Sequence, residues 1–392
     1  MSIDLLLIEE LLASQSLWNQ SPASLRSEAV AIVSAIAHDL TAISSLQSAV
    51  LLSPESSANP ALQTLLPPQV RRCITSREPA DWLRQPDLPP ESIHNLLIVA
   101  PEFNSILVDR LHAAETGPLR HVRKINLPAR TAAVFSDKFA TARWLEQHQL
   151  PTPQTWLLSD HDKRLLTASF KTPAARHACH GILKPRFGAG CDEVMLVPQL
   201  PESDTLANNP ENAENAGNED NAGWVLQQRI PGRACSISLI GQGHLQPALI
   251  LPPGRQQITV APDGRLHYHG GQIPCHPDFV PVITAVADRF RTALGPFLGW
   301  LGLDLVVHSS PHHPPVATII EVNPRLCTSC IGYRQLTPEN LTRRMLFPEP
   351  HSAPIPWLPR SIRFSPDTAL HAVRTDDCDR LPGSSTSPLA GS

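Results

Sequence analysis

Apolar and polar positions change rhythm several times along the chain, and each change marks a new element. Residues 3–8, IDLLLI, are apolar but for Asp4 and read as a buried strand. The following stretch, SPASLRSEAVAIVSAIAHDL, switches to a 3.6-residue period. Leu25, Ala29, Ile32, Val33 and Ile36 make one stripe, Ser21 supplies a cap and Pro22 the first helical position. Two more apolar runs follow, SAVLL at 48–52 and HNLLIVAPEF at 94–103. Strands alternating with helices predict a small doubly wound parallel sheet, an N-terminal βαβ domain over residues 1–125.

The texture changes near residue 136. SDKFATARWLEQHQL reads as a short helix capped by Ser136, and PTPQTWLL as its extended exit. A β-rich region comes next: HGILKPRF, EVMLV, WVLQQRI, CSISLI, QPALIL, QQITV and RLHYHGG are short runs broken by Gly or Pro. Helical period returns in FVPVITAVADRFRTAL. Two further strands, GWLGLDLVV and PVATIIEVN, are joined by a proline-rich connection. These elements set a second domain over residues 126–347, with a disordered Asn-rich, acidic insertion at 202–222 that has no Lys or Arg. Residues 348–392 form a Pro/Ser-rich tail in which SIRFSP offers one strand.

Composition narrows the partners. Lys plus Arg number 32 against 36 Asp plus Glu, so no basic field exists to track nucleic acid. The opening MSIDLLLIEELLA carries Asp4, Glu9 and Glu10 without a leading positive charge, which argues against a signal peptide. No apolar run is long enough to span a bilayer, so no membrane partner is expected either. Eight scattered cysteines do not make a disulfide framework and suit a reducing cytoplasm. Cys327 and Cys330 form a lone CxxC and Cys275 adjoins His276, a thiol or zinc alternative that lacks a second ligand pair at metal spacing. The sequence leaves homo-oligomerisation open.

The sharpest anomaly is ATIIEVNPRL, where Glu321, Asn323 and Arg325 alternate along what begins as a buried strand. Glu321 and Asn323 are two residues apart, so they share a face at about 7 Å spacing. A hairpin pairing Val307 with Val316, or slipped by two, brings Asp304 to that face. Three oxygen donors suit magnesium, which takes its remaining ligands from water and substrate phosphates. The competing reading is a set of ordinary solvent-facing charges at a strand end. Arg325 adds a guanidinium fork fitted to phosphate or acyl-phosphate oxygens.

Positive partners lie upstream. Lys184 ends the apolar strand GILKP, and Gly188, Ala189 and Gly190 in RFGAGCDEV allow a loop whose N–H groups approach an anion. Lys138 sits just inside the capped helix, within reach of the same phosphates. Gln227–Ile230 offers an extended backbone edge suited to an adenine ring. Neither GxxxxGK[ST] nor a strand-to-helix GxGxxG occurs.

In order and spacing, SDKFATARWLEQHQLPTP, GILKPRFGAGCDEV, WVLQQRIPGRACSISLI, GLDLVV and IIEVNPR resemble the ATP-grasp superfamily of ADP-forming carboxylate–amine ligases. The resemblance implies an α/β fold in which two α+β subdomains grip ATP behind the parallel-sheet N-terminal domain. It implies that Lys138 and Lys184 contact the ATP phosphates and that Gly188, Ala189, Gly190 and Cys191 close over them. Gln227, Gln228, Arg229 and Ile230 would line the adenine pocket. Asp304, Glu321 and Asn323 would hold magnesium, with manganese as an alternative, and Arg325 with Lys184 would be the catalytic pair.

Within the superfamily, LLIVAPEFNSIL, GRQQI, HYHGGQIP and EVNPRLCTSCIGYRQL look most like the tyramine:L-glutamate ligases of methanofuran biosynthesis, and next like the lysine-ligating enzymes of pyrrolysine biosynthesis. This narrower resemblance implies small-molecule carboxylate and amine substrates, contacted by Arg255, Gln256, Tyr268, Ser329, Tyr333 and Arg334. The chain departs from many relatives in having Gln where Glu stands at 227 or 228, and no ribose-binding acid near Ala234. A non-catalytic ATP-binding sensor is the alternative from another class.

Overall fold

The computed structural model describes residues 2–159, 163–164, 180–188, 193–197, 223–244, 246–310, 313–349, 353–365 and 371–373. Ala189, Gly190 and Cys191, the Asn-rich insertion and most of the C-terminal tail lie outside the described residues.

Five parallel strands in the order β3-β2-β1-β4-β5 build the first sheet: β1 Ile3–Glu9, β2 Ser48–Leu52, β3 Arg71–Ile74, β4 Ile93–Val99 and β5 Arg123–Lys124. Central β1 pairs on both edges, Leu7 standing opposite both Val50 and Leu97. Its side chains divide between two cores. Leu5 and Leu7 pack with helix Ala23–Thr41, while Leu6 and Ile8 pack with helix Ile106–Thr116. That double burial is why residues 5–8 carry no polar side chain, while Asp4, near the start of the strand, accepts from the Gln47 N–H at 2.8 Å. The first helix starts at Ala23 rather than on a Ser21 cap, Pro22 taking the cap position without a side-chain bond. Leu25 is 41% exposed, because the stripe meets the core only from Ala29 onward.

A four-stranded antiparallel sheet has the order β6-β9-β7-β8, with β6 Thr155–Leu158, β7 Gly181–Pro185, β8 Met195–Val197 and β9 Trp224–Gln228. The largest sheet runs β15-β14-β10-β12-β13-β16-β17, with β11 alongside β10. Its members are β10 Arg233–Gln242, β11 Leu249–Ile250, β12 Gly254–Val260, β13 Leu266–Ile273, β14 Leu298–Ser310, β15 His313–Asn323, β16 Ser361–Phe364 and β17 His371–Val373. Leu303, Leu305, Val307 and Ile319 pack from this sheet onto Ile283, Val286 and Phe290 of helix Val280–Leu294. The pleat therefore turns the alternate position, Asp304, to the opposite face.

One apolar cluster joins the N-terminal sheet to the large sheet, running from Val33 and Ile36 to Trp300, Leu326, Ile331, Tyr333 and Met345. Polar ties reinforce it. The Asp39 carboxylate accepts from Arg334 Nε at 2.7 Å and Thr342 Oγ1 at 2.7 Å, while its carbonyl accepts from Asn340 Nδ2 at 2.6 Å. Removing two hydrogen bonds to a largely buried carboxylate is expected to cost about 3 kcal/mol. Urea denaturation of Asp39→Ala measures this, and an unchanged midpoint would show that the network carries no net stability. Among the described residues no helix is long and apolar enough to cross a membrane.

Candidate active site

Asp304 and Glu321 stand directly opposite each other on β14 and β15, and Asn323 pairs with Gly302 next to them. The register differs from the simple hairpin: Val307 pairs with Ala317, not with Val316 or Thr318. A bulge between Asp304 and Leu305 then leaves Ile320 without an opposite residue. Without that extra residue Asp304 would oppose Ile320 and Glu321 would face the far side. The bulge re-aims the second acid onto the face of the first.

Burial pushes the Asp304 carboxyl up to about 6, and the Glu321 charge adds to the shift. Asn323, Lys184 and Gln256 act in the opposite sense. Asn323 Nδ2 donates to Asp304 Oδ2 at 3.1 Å and Gln256 Nε2 to Oδ1 at 2.8 Å. Two facing carboxylates that resist sharing negative charge are a fit for a divalent cation. Among the described residues no three His, Cys, Asp or Glu side chains converge as a metal site. One or two carboxylates with an amide oxygen match magnesium, which draws on substrate phosphates, and do not match a closed zinc cage. The CxxC thiols are poor ligands as they stand, since burial holds both Cys327 and Cys330 well above the ordinary thiol range.

Both lysines reach this face. Lys138 Nζ lies 3.2 Å from Glu321 Oε1 and donates to the Gly188 carbonyl at 2.6 Å. Lys184 Nζ donates to Gln227 Oε1 at 2.8 Å, and the Gln227 amide makes long contacts of 3.4 Å to Thr155 Oγ1 and the carbonyl of bulged Ile320. Lys184 is only 5% exposed. The helix Lys138–Gln147 is capped by Asp137, not Ser136: Asp137 Oδ1 accepts from the Phe139 and Ala140 N–H groups at 2.9 and 3.2 Å. Its other oxygen takes Arg186 Nη2 at 2.7 Å, tying the root of the glycine loop to the helix that carries Lys138. A separate helix, Ala129–Ser136, precedes this one, so Ser136 ends an element where a cap was expected.

Arg325 is not a free fork. Its Nε donates to both Glu102 oxygens at 2.9 Å, and its Nη1 to the Leu326 carbonyl at 3.2 Å. The segment expected to offer a free edge to adenine is not an edge: β9 lies between β6 and β7, with Gln227 paired to both Thr155 and Ile182. At its end the Gln228 N–H donates to the Gln154 carbonyl and the Arg229 N–H to the His180 carbonyl, each at 2.8 Å.

The residues expected to contact substrate divide. Gln256 lies on the acids' face, whereas Arg255 stands opposite Cys235 and so points to the other side of β12. Tyr268 stands opposite Ile258, further along the hairpin. Ser329 Oγ lies 3.2 Å from Ser238 Oγ. Tyr333 is 1% exposed, with its hydroxyl donating to the Pro252 carbonyl, and Arg334 is engaged by Asp39. The structure therefore does not bring Arg255, Tyr333 or Arg334 to the acids.

The ATP-grasp domain family matches residues 135–329, a span that contains both lysines, both acids, Asn323 and Arg325. The chain belongs to the ATP-grasp superfamily. Solved structures carry the same fold at low identity. An ATP-grasp superfamily protein from Archaeoglobus fulgidus aligns with a TM-score of 0.61 at 18% identity over 95% of this chain and 99% of that one. An L-amino acid ligase from Bacillus licheniformis gives 0.56 at 18%, covering 93% and 79%. The biotin carboxylase domain of 2-oxoglutarate carboxylase from Hydrogenobacter thermophilus, solved with magnesium ADP, ADP and bicarbonate, gives 0.60 at 11%, covering 93% and 74%. No curated protein sequence matches the chain.

In this ATP-grasp chain the sequence pattern had not singled out Asp137, Arg186 or Glu102. Asp137 carried a usable signal, since Asp caps helices as well as Ser does. Arg186 and Glu102 carried none, because their partners lie far away in sequence.

Proposed function

We propose that the chain is an ATP-dependent, ADP-forming carboxylate–amine ligase working through an acyl phosphate. The observation that carries this reading is the convergence of two buried lysines on an acid pair that faces across β14 and β15. A substrate carboxylate oxygen attacks the γ-phosphorus of ATP and ADP departs. A neutral amine then attacks the acyl carbon and inorganic phosphate leaves as the amide forms. Phosphoryl transfer of this kind asks the protein chiefly for alignment and charge neutralisation.

Lys138 and Lys184 supply fixed positive charge to the phosphates, Lys138 exchanging its contacts with Glu321 and the Gly188 carbonyl for phosphate oxygens. Asp304, Glu321 and Asn323 would hold magnesium, or manganese in its place, which when bound neutralises phosphate charge. Arg325 would meet a phosphate through Nη2, its Nε being committed to Glu102. With β9 flanked by β6 and β7 and the Gln228 and Arg229 N–H groups already taken, adenine would be read just beyond the strand, by Arg229 and Ile230. The glycine loop, including Ala189, Gly190 and Cys191, would cover the phosphates, as the resemblance implies.

For the substrates we take the narrower resemblance: the γ-carboxylate of glutamate and the amine of tyramine. Purified protein is incubated with ATP, magnesium and pools of amino acids and amines, with ADP release followed and products identified by mass. The expected result is ADP release that needs both an acid and an amine, and a product of their summed mass less one water. A lysine-containing product would move the chain to the pyrrolysine-type ligases. Nucleotide binding without substrate-dependent ADP release would reject the ligase reading in favour of a sensor.

A further inference from the structure

Gln256 and Asp304 are two strands apart, with β10 between β12 and β14, so their backbones are separated by roughly 10 Å. Their contact is nevertheless direct. Gly254, Ser236, Asp304 and Glu321 are successive register partners across four neighbouring strands. The first two of these are small, which leaves a corridor over the sheet between β12 and the acids. Gln256 is two residues beyond Gly254, so the pleat puts it on the same face. Its side chain crosses the corridor and donates from Nε2 to Asp304 Oδ1 at 2.8 Å. Asn323 holds the other oxygen, Oδ2, at 3.1 Å. Each oxygen of Asp304 thus has its own neutral amide donor.

We infer that Gln256 is a positioning residue for the Asp304 carboxylate, fixing its plane for a divalent cation, and not a substrate contact. The inference rests on the reading of Asp304, Glu321 and Asn323 as the magnesium site. The chemistry favours an amide at this place. A lysine or arginine would orient the carboxylate equally well, but its charge would compete with the metal. An acid would be repelled by the pair already there. Among neutral donors the side chain must reach across a whole intervening strand, and asparagine is one methylene shorter. Partners of this sort behind a metal ligand typically change metal affinity or activity roughly tenfold to a hundredfold when removed.

The test is manganese binding in the presence of ADP, followed by electron paramagnetic resonance, on the full chain. Gln256→Met keeps the volume and loses the donor, and Gln256→Ala loses both. Both variants are expected to weaken manganese binding roughly tenfold to a hundredfold, with ADP affinity in EDTA unchanged. In turnover, KM for magnesium is expected to rise by a larger factor than kcat falls, while KM for carboxylate and amine stays put. Unchanged manganese affinity in Gln256→Met, or a rise confined to the KM of the carboxylate or amine, overturns the inference and restores a substrate role. Should the wild-type protein bind no manganese with ADP, the magnesium site itself is rejected, which separates the two failures. Melting temperatures of both variants identify any loss of folding, and the isosteric Met variant is the deciding one.

Discussion

Asp304→Asn is expected to raise the stability of the metal-free protein at neutral pH while lowering turnover on the order of a thousandfold, about 4 kcal/mol of transition-state stabilisation. Burial and the facing Glu321 hold the Asp304 carboxyl up at about 6, above its unfolded value. The folded state therefore binds this proton more tightly than the unfolded chain does. The stability from that proton is complete below about pH 4 and is lost as pH rises through about 6. Above that window ionised Asp304 costs the fold on the order of 3 kcal/mol. Asparagine cannot ionise, so the variant should melt higher than wild type at pH 7.5, with the gap closing toward pH 4. Adding magnesium to the ADP-bound protein should stabilise the wild type further and leave the ADP-bound variant unmoved. A gap that persists at low pH would reject burial of charge as its cause, and wild-type turnover would remove Asp304 from the site.

Lys184→Ala is expected to lower kcat/KM for ATP by roughly ten- to a hundredfold, since one hydrogen bond to a charged group is worth about 1.5–3 kcal/mol. The lysine is buried and held by Gln227. Its charge already acts on Asp304 before any nucleotide arrives, which places it within electrostatic reach of the acids. Arginine should not rescue the variant. Its wider, planar fork does not match the buried place of an ammonium group bonded to the Gln227 amide oxygen. Steady-state kinetics with varied ATP measures the effect, and an unchanged kcat/KM would remove Lys184 from the phosphate site.

Much of the architecture could be read from local pattern. The apolar run at residues 5–8 marks the central strand of a parallel sheet, because a strand covered on both sides dispenses with polar positions there. The alternation of Glu321 and Asn323 marks one face of one strand, since the side-chain period is two. The cap at residue 137 was missed by one position, a slip that local chemistry alone cannot settle when Ser and Asp stand side by side.

What the sequence by itself determined, then, is the set of elements, the order of the motifs and the face on which each chemical side chain lies within its own strand. Tertiary structure alone decided how those faces meet. The bulge at Ile320 that turns Glu321 toward Asp304, the reach of Gln256 across β10, the opposite aim of neighbouring Arg255, and the capture of Arg325 by Glu102 and of Arg334 by Asp39 all join residues distant in the chain. Periodicity reports which side of an element is buried. Register and partnership are set by contacts between elements, and one extra residue in a strand reverses every side chain beyond it.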